Sequence, residues 1–95
     1  MNPSKPIVKI SYCPKCKWML RAAYMAQEFL STFENELGGV LLQPAEISGE
    51  YIISLDEKVI FNRKDAGGFP EIKILKQLVR DSVSPGKNLG HSDRQ

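Results

Sequence analysis

Long apolar runs are missing from this sequence. No stretch approaches the roughly 18 consecutive apolar residues that a spanning helix needs, and the N-terminal segment lacks the apolar core of a secretory signal. No membrane association is expected, and the expected address is cytoplasmic. Charge of one sign is missing as well. Thirteen Lys and Arg stand against eleven Asp and Glu, a formal charge of +2, and the basic residues are scattered along the chain. That distribution argues against a nucleic-acid partner. Histidine is scarce, the one residue being His91 in a polar C-terminal stretch. Ser11, Asp65 and Asp81 form no hydrolytic triad with it by spacing. A closed zinc site normally takes four ligands, so the two cysteines with His91 would need a second chain to complete one. The Gly67-Gly68 pair matches no phosphate-binding fingerprint and reads as a loop turn.

What is present suits a small globular domain. A chain of 95 residues has room for one core, and 42 % apolar with 25 % charged residues is ordinary composition for a folded protein. Residues 1–84 are expected to form the domain and residues 85–95 a flexible tail, polar apart from Leu89.

Residues 7–12 read as a strand that is apolar on both sides, with Val8, Ile10 and Tyr12 on one face. From Pro14 the period becomes helical, and Trp18, Ala22, Met25, Ala26, Phe29, Phe33 and Leu37 make a stripe ended by Gly38-Gly39, where a positive φ is expected. Residues 40–47 read as a second strand, pushed to a sheet edge by Pro44. Ser48-Gly49 supplies a turn. Residues 51–55 and 58–62 suggest a hairpin without a turn glycine, residues 63–68 a loop. A last helix opens at Pro70 and buries Ile72, Leu75, Leu78, Val79 and Val83. The order is β-α-β-β-β-α: the first two strands lie parallel, the hairpin adds to the other side of the first, and two helices cover one face of a four-stranded mixed sheet.

Cys13-Pro14-Lys15-Cys16 falls between the first strand and the first helix. In that position a Cys-x-x-Cys pair reads as a redox dithiol, and a thiol-reducing compartment makes a purely structural disulfide improbable. A helix start would offer unpaired N–H groups and the positive end of the macrodipole, which favour a thiolate, and Lys15 and Lys17 add charge. On these grounds Cys13 and Cys16 are the expected catalytic residues, one attacking and the other resolving the mixed disulfide. Helix-terminus reasoning favours the first, Cys13, as the exposed attacker. Trp18 and Phe69 are either core residues or the rim of a partner surface.

Strand-Tyr12-Cys13-x-x-Cys16, the long helix beginning near Trp18, and the Arg63-Lys64 to Gly67-Gly68-Phe69-Pro70-Glu71 loop together resemble the selenoprotein W-like Rdx family, over residues 5–84. The resemblance implies a thioredoxin-like fold and a thiol-disulfide redox role with protein thiols, protein disulfides or glutathione as partners. Glutathione is then a candidate reductant and no tightly bound cofactor is expected. In selenoprotein W the second motif position carries selenocysteine, which by carry-over makes Cys16 the attacker and Cys13 the resolver. The chain differs from thioredoxins and glutaredoxins in having no proline before Tyr51. A redox-sensitive interaction module without turnover is the alternative reading.

Overall fold

The computed structural model describes residues 5–90. Its elements are β1 (Ile7–Tyr12), α1 (Met19–Thr32), β2 (Gly39–Pro44), β3 (Tyr51–Leu55), β4 (Lys58–Asn62), α2 (Arg63–Ala66) and α3 (Ile72–Val83). The sheet runs in the order β2-β1-β3-β4. β1 is parallel to β2 and antiparallel to β3, and β4 returns antiparallel to β3. This is the four-stranded mixed sheet that the β-α-β-β-β-α pattern implies, on a thioredoxin-like α/β frame.

Period-two burial in β1 sets the layering. Val8, Ile10 and Tyr12 are buried while the residues between them are not, as a strand with alternate side chains on opposite faces requires. On that face they join Ala22, Met25 and Phe29 of α1, Ile53 of β3, and Leu75 and Val79 of α3 in one apolar cluster. Pro44 ends β2, an edge strand, where its missing N–H costs no ladder bond.

Three local features differ from the sequence expectation. Helix α1 is shorter at both ends, because Lys17 adopts a left-handed φ of 64° and residues 33–36 leave the helix in turns. Gly38 is not a left-handed cap. A Cβ there would lie 2.8 Å from the Lys5 carbonyl oxygen, so glycine is needed for the close approach that lets the Gly38 N–H donate to the Pro6 carbonyl at 2.8 Å. The segment expected to be a loop after β4 contains α2, a third helix, capped by the Asn62 side chain accepting from the Lys64 N–H and closed by Gly67 at φ 80°.

The β3–β4 turn manages without glycine because Asp56 takes the left-handed position, φ 53°, which short polar side chains tolerate. Its carboxylate accepts from the Ile7 N–H at 2.9 Å and its own N–H donates to the Ile7 carbonyl at 2.8 Å, tying the hairpin to the start of β1. In the tail segment, Lys87 pairs with Glu36 at 3.3 Å, Arg80 donates to the Lys87 carbonyl, and Leu89 packs against the core. His91 and the rest of 91–95 lie outside the described residues.

Candidate functional site

Strand β1 ends at Tyr12, and the four residues Cys13-Pro14-Lys15-Cys16 turn back over its C-terminal end. The turn is closed by Lys17 N–H donating to the Pro14 carbonyl at 3.1 Å and Trp18 N–H to the Cys13 carbonyl at 3.4 Å. Helix α1 begins only at Met19, with Trp18 at its cap position. The cysteines therefore do not lie in the first turn of the helix, and the macrodipole, whose effect fades beyond the terminal turn, is not their main source of thiolate stabilisation. The exposure order is also the reverse of the helix-terminus expectation: Cys13 is 1 % exposed, whereas Cys16 is partly exposed.

Local donors take the place of the helix. Both cysteines are free thiols, and they are hydrogen-bonded to each other. The Cys13 thiol is held down to about 7, first by the hydrogen bond from Cys16, then by the N–H of Gly49, and further by the N–H groups of Cys16 and Lys15, against an opposing effect of burial. Cys16 is pushed up, chiefly because its proton is held by Cys13 and secondarily by burial, while the Gly49 N–H and the charge of Arg63 pull it down. The two thiols thus oppose each other's titration, Cys13 going down and Cys16 up. Cys13 borders a groove of about 70 Å³ between its own turn and residues Ala45, Glu46, Ile47 and Ser48.

Gly49 aims its N–H at the sulfurs from a backbone with φ +81°, a conformation that L side chains adopt at a cost. It lies two residues before β3, next to Glu50, which stands directly before Tyr51 where no proline is found. In the sequence it reads as a turn glycine only; nothing in the local pattern reveals its pairing with residues more than thirty positions away.

An aromatic cluster walls the other side. Trp18, Tyr51 and Phe69 meet edge to face, with ring centroids 5.0 Å apart for Trp18–Phe69, 4.9 Å for Tyr51–Phe69 and 6.2 Å for Trp18–Tyr51. Tyr51 is buried, which pushes its phenol up to about 12. Trp18 and Phe69 are half-buried, so each serves as both packing and rim. Two guanidinium groups lie on the cluster: Arg21 4.0 Å from the Phe69 centroid, and Arg63 4.7 Å from that of Trp18 and 5.5 Å from that of Phe69. The Arg63 to Pro70 loop noted in the sequence is thereby fixed beside the cysteines. Among the described residues, no group of three or more His, Cys, Asp or Glu is arranged to hold a metal ion, and no helix is long and apolar enough to cross a membrane.

A Cys-x-x-Cys turn following the first strand of a β-α-β-β-β-α sheet places the molecule among thioredoxin-like proteins. Within that class the chain belongs to the Rdx family, whose model matches residues 7–81. It is similar to a protein of known crystal structure from Bordetella parapertussis, at 48 % identity and a TM-score of 0.79, over 83 % of this chain and 99 % of that one. It is also similar to a selenoprotein W-related protein from Vibrio cholerae, at 46 % identity and a TM-score of 0.77, over 82 % and 96 % of the two chains. No curated protein matches the sequence. Family membership and the adjacent thiols together point to a redox-related function.

Proposed function

We propose that Cys13 and Cys16 are the catalytic pair of a thiol-disulfide redox protein, with glutathione or a protein disulfide as partner. The observation that carries this reading is the thiol pair itself: two free cysteines in one four-residue turn after β1, Cys13 buried and Cys16 partly exposed, with Cys13 lowered to about 7. Such a pair needs no metal or cofactor to exchange disulfides, because the thiolate is itself the nucleophile.

Access favours Cys16 as the attacker. As its sulfur attacks a partner disulfide, its proton passes to the Cys13 sulfur, the partner S–S bond breaks, and the departing thiolate takes a proton from water. Cys13 then releases its proton to solvent and attacks the Cys16 sulfur, expelling the second partner thiol. The protein dithiol loses two electrons, the partner disulfide gains them, and two thiols leave for each disulfide consumed. Two molecules of glutathione run the sequence backwards and regenerate the dithiol.

The test uses Cys13→Ser and Cys16→Ser proteins with oxidised glutathione, followed by intact mass. The reading expects Cys13→Ser to accumulate a glutathione adduct on Cys16, faster than Cys16→Ser does on Cys13. The reverse order assigns attack to Cys13. No adduct on either variant removes the redox reading. Exposed Leu20, at 74 %, with Met19 and Ile47 near the motif, favours the second reading, an interaction surface governed by cysteine state; adducts without catalytic turnover would select it.

A further inference from the structure

Arg63 carries a buried, unmatched polar atom near the thiols. Its guanidinium rests on Trp18 and Phe69, but its Nε is buried without a hydrogen-bond partner, and it is in none of the ion pairs among the described residues. The buried Nε is out of a ligand's reach, so a contact would fall to the outer guanidinium nitrogens, whose charge already acts on Cys16 and has no carboxylate paired with it among the described residues. The surroundings are basic. Lys15 and Lys17 flank Cys16, Arg21 lies on the same Phe69 ring, and the Lys64 side chain passes Gly49, its Cε 3.6 Å from where a Cβ would stand. Two acidic residues lie nearby as well: Glu50, which accepts from the Ser11 hydroxyl at 2.8 Å, and Glu46, which lines the groove beside Cys13. The contacts with Trp18 and Phe69 restrain the Arg63 side chain, and a planar guanidinium fork suits a carboxylate better than it suits an isolated charge.

We infer that Arg63, assisted by Arg21, is a specificity-determining group that receives a carboxylate of the disulfide partner, so that the site selects small disulfides carrying carboxylates over neutral or cationic ones. The inference rests on the dithiol reading and narrows its substrate class. The exchange itself is the balanced one above, two electrons passing from the dithiol to the partner; Arg63 touches the partner and takes no part in the bond changes.

Two measurements separate this claim from the redox reading. In the first, reduced protein is oxidised by oxidised glutathione, by neutral hydroxyethyl disulfide and by cationic cystamine, and rates are taken as ratios to the neutral disulfide, which cancels any effect on sulfur reactivity. Arg63→Gln is expected to lower the glutathione ratio about tenfold, the weight of one charge-assisted contact, and not to lower the cystamine ratio. Arg63→Lys, which keeps the charge and loses the fork, should fall between. In the second, S-methylglutathione, which has the carboxylates and no reactive sulfur, is titrated against the fluorescence of Trp18, the one tryptophan. Saturable binding weakened about tenfold in Arg63→Gln is expected. Equal slowing of all three disulfides, or binding indifferent to residue 63, overturns the inference while the redox reading stands. Failure of every disulfide to oxidise the wild type removes the redox reading, and the Trp18 titration still decides whether the carboxylate site exists. Because Arg63 lies on the Trp18 ring, a folding defect in Arg63→Gln is read from a lowered urea midpoint by far-ultraviolet circular dichroism, and the decision then passes to Arg63→Lys.

Discussion

Gly49→Ala separates conformation from contact at the thiol site. A Cβ at Gly49 would meet only Lys64 Cε, at the ordinary distance of 3.6 Å, so the space exists and the cost comes from φ +81°. For a residue with a Cβ this is about 1–2 kcal/mol. At roughly 4–8 °C per kcal/mol for a domain of this size, Tm should fall by roughly 4–16 °C. If the loop relaxes to escape the strain, the N–H leaves the sulfurs and Cys13 rises from about 7 toward 9.0. Iodoacetamide alkylation against pH reads that shift as a later inflection, and a thermal melt reads the strain. Gly39→Ala is the control, since its Cβ would sit 3.7 Å from Ile7 Cδ1 with no left-handed φ, and it should leave both readouts unchanged. Wild-type behaviour of Gly49→Ala in both assays would refute the assigned role of that N–H.

Stability of the reduced protein should depend on pH through the thiols. Cys13 titrates lower folded than unfolded, so between about 7 and 9 the unfolded chain binds more protons and stability rises with pH; the gain is lost as pH falls through 7. Cys16 is raised, so above pH 9 its contribution reverses the trend. The difference in urea midpoint between wild type and Cys13→Ser, followed across that range, should show the rise; a flat difference contradicts it. Trp18→Ala removes the edge contacts to Phe69 and Tyr51 and the seat of Arg63, costing about 2–3 kcal/mol by denaturant titration. Amide exchange in residues 63–70 should accelerate with it, and unchanged exchange would argue that the loop is held by other contacts. Lys17→Gly relieves the 64° φ and should stabilise by about 0.5–1 kcal/mol, the relief exceeding glycine's greater unfolded entropy; a loss of stability would mean that the Lys17 side chain contributes more than its strain costs.

The β-α-β-β-β-α order was legible because its signals are local. Val8, Ile10 and Tyr12 alternate, the Ala22 to Phe29 stripe has helical period, and Pro44 marks an edge. The short helix α2 had visible signals as well, Asn62 before it and Gly67 after it, but four residues are too few to show a period. The family resemblance puts the start of α1 near Trp18, where the structure has it, but the helical period read from Pro14 overruns it, because an apolar stripe carries no sign that Lys17 turns left-handed and detaches the cysteine turn from the helix. That error also reversed the expected exposure of Cys13 and Cys16. Gly49 and Arg63 reach the thiols only through the fold: one comes from the segment before β3 and the other from the residue after β4. Neither has spacing to the Cys-x-x-Cys pair that a linear reading could use. Phe69 shows the same limit, since its place between Trp18, Tyr51 and two arginines depends on a loop closing over the end of α1.

The central claim is that Cys13 and Cys16 cycle between dithiol and disulfide. Equilibrating the protein in glutathione buffers of graded potential, quenching with an alkylating agent and weighing the products tests it most directly. The account predicts a reversible intramolecular couple between about −180 and −300 mV, the span of dithiol carriers and cellular thiol buffers. A protein that forms no intramolecular disulfide in any buffer, or one whose disulfide the buffers cannot reduce, would contradict it.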